Sequence, residues 1–234
     1  MAAEAPRRRG GEQRIPRPDS WRLGPPAPWS VPTSASTSIE FAALIAAVAA
    51  RTPSRLAPPF ADAHNSAVLI VLHDGLDGAE ALFTKRAQHL RNHRGEISFP
   101  GGRMDANETV VEAALREAWE EVALQSSLVS VHGELDHLST VVSNSYIVPV
   151  VASVAERPEL RAQPDEVERI LWVPLAELAD EGTYREEWWG LPAMERPIHF
   201  FELDDETIWG ATALIVHQLL RLAHGVDGPE PMSW

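Results

Sequence analysis

Glu117, Glu120 and Glu121 lie beside Arg116 in the stretch 102–124, GRMDANETVVEAALREAWEEVAL, which leaves a Pro100-Gly101-Gly102 loop and carries a further acid at Glu108. On a helix at about 100° per residue the three glutamates fall at roughly 0°, 300° and 40°, inside one sector about 100° wide. Ionised carboxylates held that close repel one another, by roughly 0.2–0.5 kcal/mol per exposed pair. Divalent cations shared between them remove that repulsion, and hard oxygen ligands suit Mg²⁺ or Mn²⁺. The bland alternative is a solvated acidic face, the commoner fate of charges on a helix.

The same helix predicts an apolar side. Val111, Ala114, Leu115, Ala118 and Val122 recur at helical spacing and would face a core. Their sector is centred roughly 120° from the acids. One side is therefore buried while a neighbouring side turns the carboxylates toward a cleft.

A second cluster precedes this one. Residues 81–95, ALFTKRAQHLRNHRG, hold Lys85, Arg86, Arg91 and Arg94 with His89 and His93 and no acid, in a chain of formal net charge −14. Lys85 is the only lysine. A cationic patch in an acidic protein suits a small polyanion, because the overall field would repel long nucleic acid. The competing reading is a basic surface loop that balances neighbouring acids. Arginine matches phosphate with a two-pronged fork, lysine as a point charge. If 82–86 is a strand, Lys85 and Arg86 point to opposite sides, so not all four cations can face one cleft.

The spacing of the acidic stretch resembles the signature of the Nudix hydrolases, GX5EX7REUXEEXGU, with U a bulky apolar residue. Gly102, Glu108, Arg116, Glu117, Glu120 and Glu121 match it in register, while Ala118 stands for a larger aliphatic and Ala123 for the second glycine. That glycine lies at the helix end, so alanine there costs roughly 1 kcal/mol or makes the helix end differently. The preceding block, LFTKRAQHLRNHRGEISFPGG at 82–102, resembles the motif before the Nudix box in coenzyme A pyrophosphatases. The likeness is detailed over 82–124 and looser over about 67–223, and the segment upstream has no counterpart in it.

The resemblance implies a set of roles. Glu120 and Glu121 would be the principal ligands of Mg²⁺ or Mn²⁺, joined by the carbonyl of Gly102. Glu117 would be a ligand, the base that deprotonates water, or both. Arg116 would orient Glu117 or a nearby carboxylate, and Glu108 would fix the loop–helix junction. Lys85, Arg86, Arg91 and Arg94 would hold substrate phosphates, and a further acid is expected from Glu166 or Glu168, either of which is otherwise an ordinary surface acid. The implied reaction is hydrolysis of coenzyme A or acyl-CoA to 3′,5′-ADP and 4′-phosphopantetheine or its acyl form. The alternatives are another Nudix specificity, such as ADP-ribose or a dinucleotide, and a non-catalytic nucleotide-binding module. The intact Arg116-Glu117 and Glu120-Glu121 pairs speak against the last.

The elements that must position these residues are legible in outline. A chain of 234 residues with 44% hydrophobic content can bury one ample core. With no cysteine, disulfides and thiolate sites are excluded, which fits a reducing cytoplasm. The longest apolar run, 41–50, is half the ~20 residues that a membrane span needs. Arg7-Arg8-Arg9 is followed by no apolar stretch, so neither a secretory signal nor membrane attachment is expected. A cytoplasmic protein with a small nucleotide substrate and no nucleic-acid partner is the expectation, as a monomer or a homodimer.

Residues 1–36, rich in Pro, Arg, Ser and Gly, read as a flexible or peripherally attached extension. The Nudix domain would occupy 37–228, opening with a helix over 37–51 behind a capping box at Thr37-Ser38-Ile39-Glu40, and 229–234 would be a tail. Strands are expected at 67–72 and 82–86 about a turn at 73–75, then at 96–99, 128–138, 141–154, 166–173 and 197–202. Pro149 predicts a bulge or edge. Short and closing helices are expected at 174–179 and 208–224. Together these give an α/β protein, a Nudix-type α/β/α sandwich with a mixed sheet and a loop–helix catalytic motif. His217 and His224 read as surface or core residues. Trp188, Trp189 and Trp209 could stack an adenine, though packing is the more usual use of such residues.

Overall fold

The computed structural model describes residues 9–11, 13–29, 39–55, 57, 62–140, 144–191 and 194–226. Strand β1 (Trp21–Leu23) and helix α1 (Phe41–Ala50) precede a hairpin of β2 (His64–Gly75) and β3 (Gly78–Arg86). Two short strands, β4 (Ile97–Ser98) and β5 (Gly101–Arg103), lead into helix α2 (Val110–Val122) and a 3-10 turn at Ser126–Leu128. Strands β6 (Val129–Glu134), β7 (Leu138–Thr140), β8 (Ser145–Val154) and β9 (Val167–Pro174) follow, then helix α3 (Leu175–Ala179). The chain closes with β10 (Tyr184–Trp189), β11 (Arg196–Glu202), β12 (Thr207–Trp209) and helix α4 (Gly210–Ala223).

The larger sheet has the order β4-β3-β2-β8-β6, with β5 and β7 adding to β2 and β8, and β9 to β3. β2 and β8 run parallel from His64↔Ser145 to Leu72↔Ser153. They are the near-continuous apolar runs expected of strands covered on both faces. Alternation along β2 sorts those faces. Ala67, Leu69 and Val71 pack with Ala113, Ala114, Ala118 and Val122 of α2, whereas Ile70 and Leu72 join Leu44 of α1 and Ile215 and Leu219 of α4. Helices on both faces of a mixed sheet give the expected α/β/α sandwich.

Pro149 sits inside β8, paired with Val68. On the other side β8 changes partner from β7, which ends its pairing at Leu138↔Ile147, to β6, which begins at Glu134↔Val150. The missing amide thus falls where the ladder is interrupted, as a proline requires. The β2–β3 turn closes at Gly75–Gly78, later than expected, because His73 and Asp74 still pair. α1 begins at Phe41 with Glu40 as an N-cap that makes no side-chain bond. The Thr37 and Ser38 of the expected capping box lie outside the described residues, as do 1–8, 30–36 and the 229–234 tail.

A second, antiparallel sheet, β1-β10-β11-β12, was not expected. Its strand β10 reads YREEWW, whose charged residues conceal that Glu186 and Glu187 are buried. Of the extension expected over 1–36 to be flexible or peripherally attached, the described residues 9–11 and 13–29 are attached, in part through this sheet. Within it, Trp21, Arg22 and Leu23 pair with Trp189, Trp188 and Glu187. Trp29 is 5% exposed, donates Nε1–H to Ala179 O (3.0 Å) and packs edge-on to Tyr184 at 5.1 Å between ring centres. Aromatic anchors, rather than an apolar period, hold residues 13–29 to the domain.

Candidate active site

From β4 the chain passes Pro100 into β5, where Ala67 pairs Gly102 and Val68 pairs Gly101. A Cβ on Gly101, at φ 157°, would overlap the Ala67 carbonyl, and one on Gly102 would lie 2.5 Å from the Glu117 carboxyl carbon. Glycine at both positions lets the loop run between the central strand and the acids of α2. The helix starts on a reciprocal cap: Glu112 N–H donates to Thr109 Oγ1 (3.2 Å) and Thr109 N–H to Glu112 Oε2 (2.8 Å). It ends at Ala123, left-handed at φ 57° and ψ 29°. The alanine adopts the conformation for which the family signature uses glycine.

Arg116 is the hub of the charged face. Its Nε and Nη2 donate to the two oxygens of Glu108 (2.9 and 3.0 Å), and Nη1 to Glu117 (2.9 Å) and Glu120 (3.1 Å). Nη2 also reaches the Arg103 carbonyl (3.0 Å). Glu108 Oε2 in turn accepts from the Asp105 amide (3.0 Å), so this acid ties the loop to the helix. The Arg116 hydrogen bonds hold the Glu108 carboxyl below its ordinary pKa.

Glu121 is placed differently. It was expected on the acid-bearing side facing a cleft, yet it is 3% exposed, since its sector borders Ala114, Ala118 and Val122. Burial pushes its pKa up to about 8, against the opposing influences of the Arg86 charge and a Gly101 backbone hydrogen bond. Its Oε2 has no hydrogen-bond partner. Glu117 is also raised, first by burial and against the pull of Arg116. Glu120 is the solvated member, with its side chain 55% exposed. Of the expected apolar side, Ala114, Ala118 and Val122 are buried, Ala113 joins them, and Val111 and Leu115 pack at its margin.

The two candidate extra acids part company. Glu166 N–H donates to Gln163 O (3.0 Å), whose N–H donates to the Glu121 carbonyl (2.8 Å), and the Glu166 charge raises both Glu117 and Glu121. Glu168 instead pairs with Lys85 (3.3 Å), which also pairs with Glu206 (2.8 Å). Burial alone would lower the Lys85 pKa, but Glu206 and then Glu168 outweigh it and raise it. Arg86, one residue on, acts on Glu121, and the register of β3 against β9 shifts between the two. Both cations still line one cavity of about 1830 Å³ together with Arg91, Arg94 and Arg103. Sequence reasoning missed the residues that close it opposite: Gln13 and Arg14 from the N-terminal segment, and Asp205 and Glu206. No motif marks them. Trp189 and Trp209 line the cavity too, whereas Trp188 stacks under the Arg22 guanidinium at 4.9 Å.

Among the described residues no three acids or histidines converge as a ready metal cage, because Arg116 draws Glu117 and Glu120 to itself. The donor chemistry nevertheless fits a hard divalent ion. Every candidate donor is oxygen, and a buried Glu121 oxygen lacks any partner. The anionic helix face adjoins the cationic cavity through Arg86 and Arg103, an arrangement able to take a divalent ion and a phosphorylated ligand.

Comparison with known proteins agrees. The NUDIX domain model matches residues 63–192. "Nudix hydrolase 3" of Caenorhabditis elegans is 30% identical over 178 residues, 69% of this chain and 74% of its own. An uncharacterized Nudix hydrolase, NudL, of Photorhabdus laumondii is 36% identical over 142 residues, 60% of this chain and 75% of its own. The solved Nudix hydrolase RenU of M. smegmatis is 19% identical, with TM-score 0.49 over 71% of this chain and 89% of its own. This chain belongs to the Nudix family. It is a Nudix hydrolase acting on a nucleoside diphosphate derivative. None of its described helices is long and apolar enough to cross a membrane.

Proposed function

We infer that this protein is a Mg²⁺- or Mn²⁺-dependent pyrophosphatase of coenzyme A or acyl-CoA, releasing 3′,5′-ADP and 4′-phosphopantetheine or its acyl form. One observation carries the reading. The basic block that resembles the coenzyme A pyrophosphatase motif lines the same cavity as Arg103, the residue after the Gly101-Gly102 loop. Arg103 in turn accepts from Arg116 through its carbonyl (3.0 Å), which supports reading the basic block and the loop–helix as parts of one site. A pyrophosphate repels hydroxide until its charge is neutralised, and a bound divalent ion both neutralises it and lowers the pKa of water.

Glu120, Glu121 and the Gly102 carbonyl would hold the metal, with Glu117 as ligand or base. Arg116 keeps Glu117 in place and shields it from Glu120. Glu166 is the better placed further acid, and Glu168 serves Lys85. Arg86, Arg91 and Arg94 would take the phosphates as hydrogen-bond forks, and Lys85 would contribute charge while held by Glu206. The test is mass spectrometry of products from CoA with Mg²⁺ in ¹⁸O-labelled water. Labelled 4′-phosphopantetheine or 3′,5′-ADP is the expected result, and the label shows which phosphorus is attacked. A panel in which ADP-ribose or a dinucleotide is cleaved and CoA is not would overturn the specificity.

A further inference from the structure

The segment before β1 walls the substrate cavity, and the family match, which begins at residue 63, does not account for it. It is fastened at both ends. Gly10 N–H donates to Leu203 O (2.6 Å) and Gly10 O accepts from Thr207 Oγ1 (2.7 Å). Arg17, at the other end, donates Nε–H to the buried Glu187 (2.9 Å) and Nη2–H to its second oxygen. Between the clamps, Gln13 and Arg14 face the cavity.

Gln13 fixes an aromatic wall. With its amide oriented to satisfy both ends, it donates to Thr207 O (2.8 Å) and accepts from Trp209 Nε1 (3.2 Å). Trp189 is held by its own Nε1–H bond to Glu187 (2.7 Å). The two indoles lie 6.5 Å apart between centres and 41° to each other, so one pinned ring can offer its face to a base while the other flanks it. The acids beside them are already engaged, Glu206 by Lys85 and Arg169 and Asp205 by Arg169. Arg14 makes no ion pair among the described residues. The scissile pyrophosphate must reach Glu117 and Glu121, near Arg86 and Arg103, so a guanidinium that lines the cavity next in the chain to Gln13, the partner of Trp209, is surplus to it. A phosphate that meets that guanidinium while the base stacks on the wall is one carried by the nucleoside itself.

We propose that Arg14 is a specificity-determining residue: with an adenine against Trp189 and Trp209, it binds a phosphate on the ribose. This rests on the nucleotide reading above. The test titrates 3′,5′-ADP and 5′-AMP calorimetrically into metal-free, full-length wild type, Arg14→Ala and Arg14→Lys. Wild type should prefer 3′,5′-ADP by about 10-fold, the strength of one charge-assisted contact. Arg14→Ala should shrink the preference below about threefold and Arg14→Lys should restore part of it. A wild type without preference, an Arg14→Ala that keeps it, or a variant that weakens both ligands equally would each overturn the proposal. Failure to hydrolyse CoA would sink the substrate reading while leaving this titration decisive. CoA hydrolysis with a flat titration would sink Arg14 alone.

Discussion

Glu187 and Glu121 are both carboxylates taken out of water, at 0% and 3% exposure, and the fold treats them in opposite ways. Glu187 accepts from Arg17 on both oxygens and from the Trp189 indole on one, and forms an ion pair with Arg185. Glu121 has a Gly101 amide, the charge of Arg86 and an oxygen with no partner. A buried charge costs several kcal/mol unless it is paired and hydrogen-bonded. For Glu187 that cost is offset within the chain, in part by Arg17 from the N-terminal segment. For Glu121 it stands, and burial lifts its pKa to about 8. The fold completes Glu187 and leaves incomplete the acid proposed above as a metal ligand.

The harshest way to break the comparison is to remove the partner of Glu187. A truncation starting at Ser36 deletes Arg17 and also Trp29, whose buried ring is worth about 3–5 kcal/mol by truncation. The expected melting temperature is lower by about 10 °C or more in calorimetry. An unchanged value would mean that Arg185 and Trp189 suffice for Glu187 and that the segment is only draped.

Glu121→Gln tests the other side. Turnover should fall at least about 10²-fold, because metal assistance supplies several kcal/mol here. Metal-free variant should nevertheless melt higher than metal-free wild type at neutral pH, since the cost of holding this carboxyl protonated above its unfolded pKa is gone; each 1 kcal/mol is about 2–4 °C at this size. Mg²⁺ or Mn²⁺ should raise the melting temperature of wild type and not of the variant. A variant that melts lower without metal would make Glu121 a structural acid like Glu187.

A pH series sharpens the contrast through His217, a third buried group, which burial pushes down to about 3. Between about 6.5 and 3 the unfolded chain binds a proton at this histidine that the native state refuses, so its contribution to stability is lost as pH falls. Glu121 has the opposite sign. Its native pKa lies above the usual 4.5, so metal-free stability is full below that value and is lost as pH rises toward 8. Melting curves in a chelator should therefore fall with pH between 6.5 and 8 in wild type and less steeply in Glu121→Gln. Parallel curves would remove the buried charge from the account. His217→Gln should flatten the acid limb instead.

What the sequence disclosed and what it hid follow the same physics. The α2 helix, its register and the hub Arg116 were legible because one helix face must repeat at a fixed period. β2, β3, β8 and β9 were legible as apolar runs. β10 was not, because Glu186 and Glu187 disguise a buried strand, and one neutralising partner of Glu187, Arg17, lies 170 residues away. Pairwise contacts of that kind leave no local pattern. For the same reason the segment holding Gln13 and Arg14 read as an extension. Lys85 and Arg86 were told apart by strand alternation, but Glu166 and Glu168 were not, since choosing between them needed the position of Lys85 against Glu206.

The smallest expected effect concerns the cap that sets Glu121 in place. Ala123 holds φ 57° and ψ 29°, with its N–H on Trp119 O (2.9 Å) and the next amide, Leu124, on Ala118 O (3.3 Å). That left-handed turn costs an L-residue with a Cβ about 1–2 kcal/mol, whereas glycine adopts it freely. Glycine also loses more freedom on folding, by roughly 0.5–1 kcal/mol. The balance for Ala123→Gly is a gain of about 0.5–1 kcal/mol, or about 1–4 °C in melting temperature, with turnover within about twofold because no side chain is exchanged at the acids. Glu121 lies only two residues earlier, so a turnover change beyond that range would show that its incomplete coordination depends on the strained cap. A lower melting temperature would show that packing around the Ala123 methyl outweighs the backbone strain.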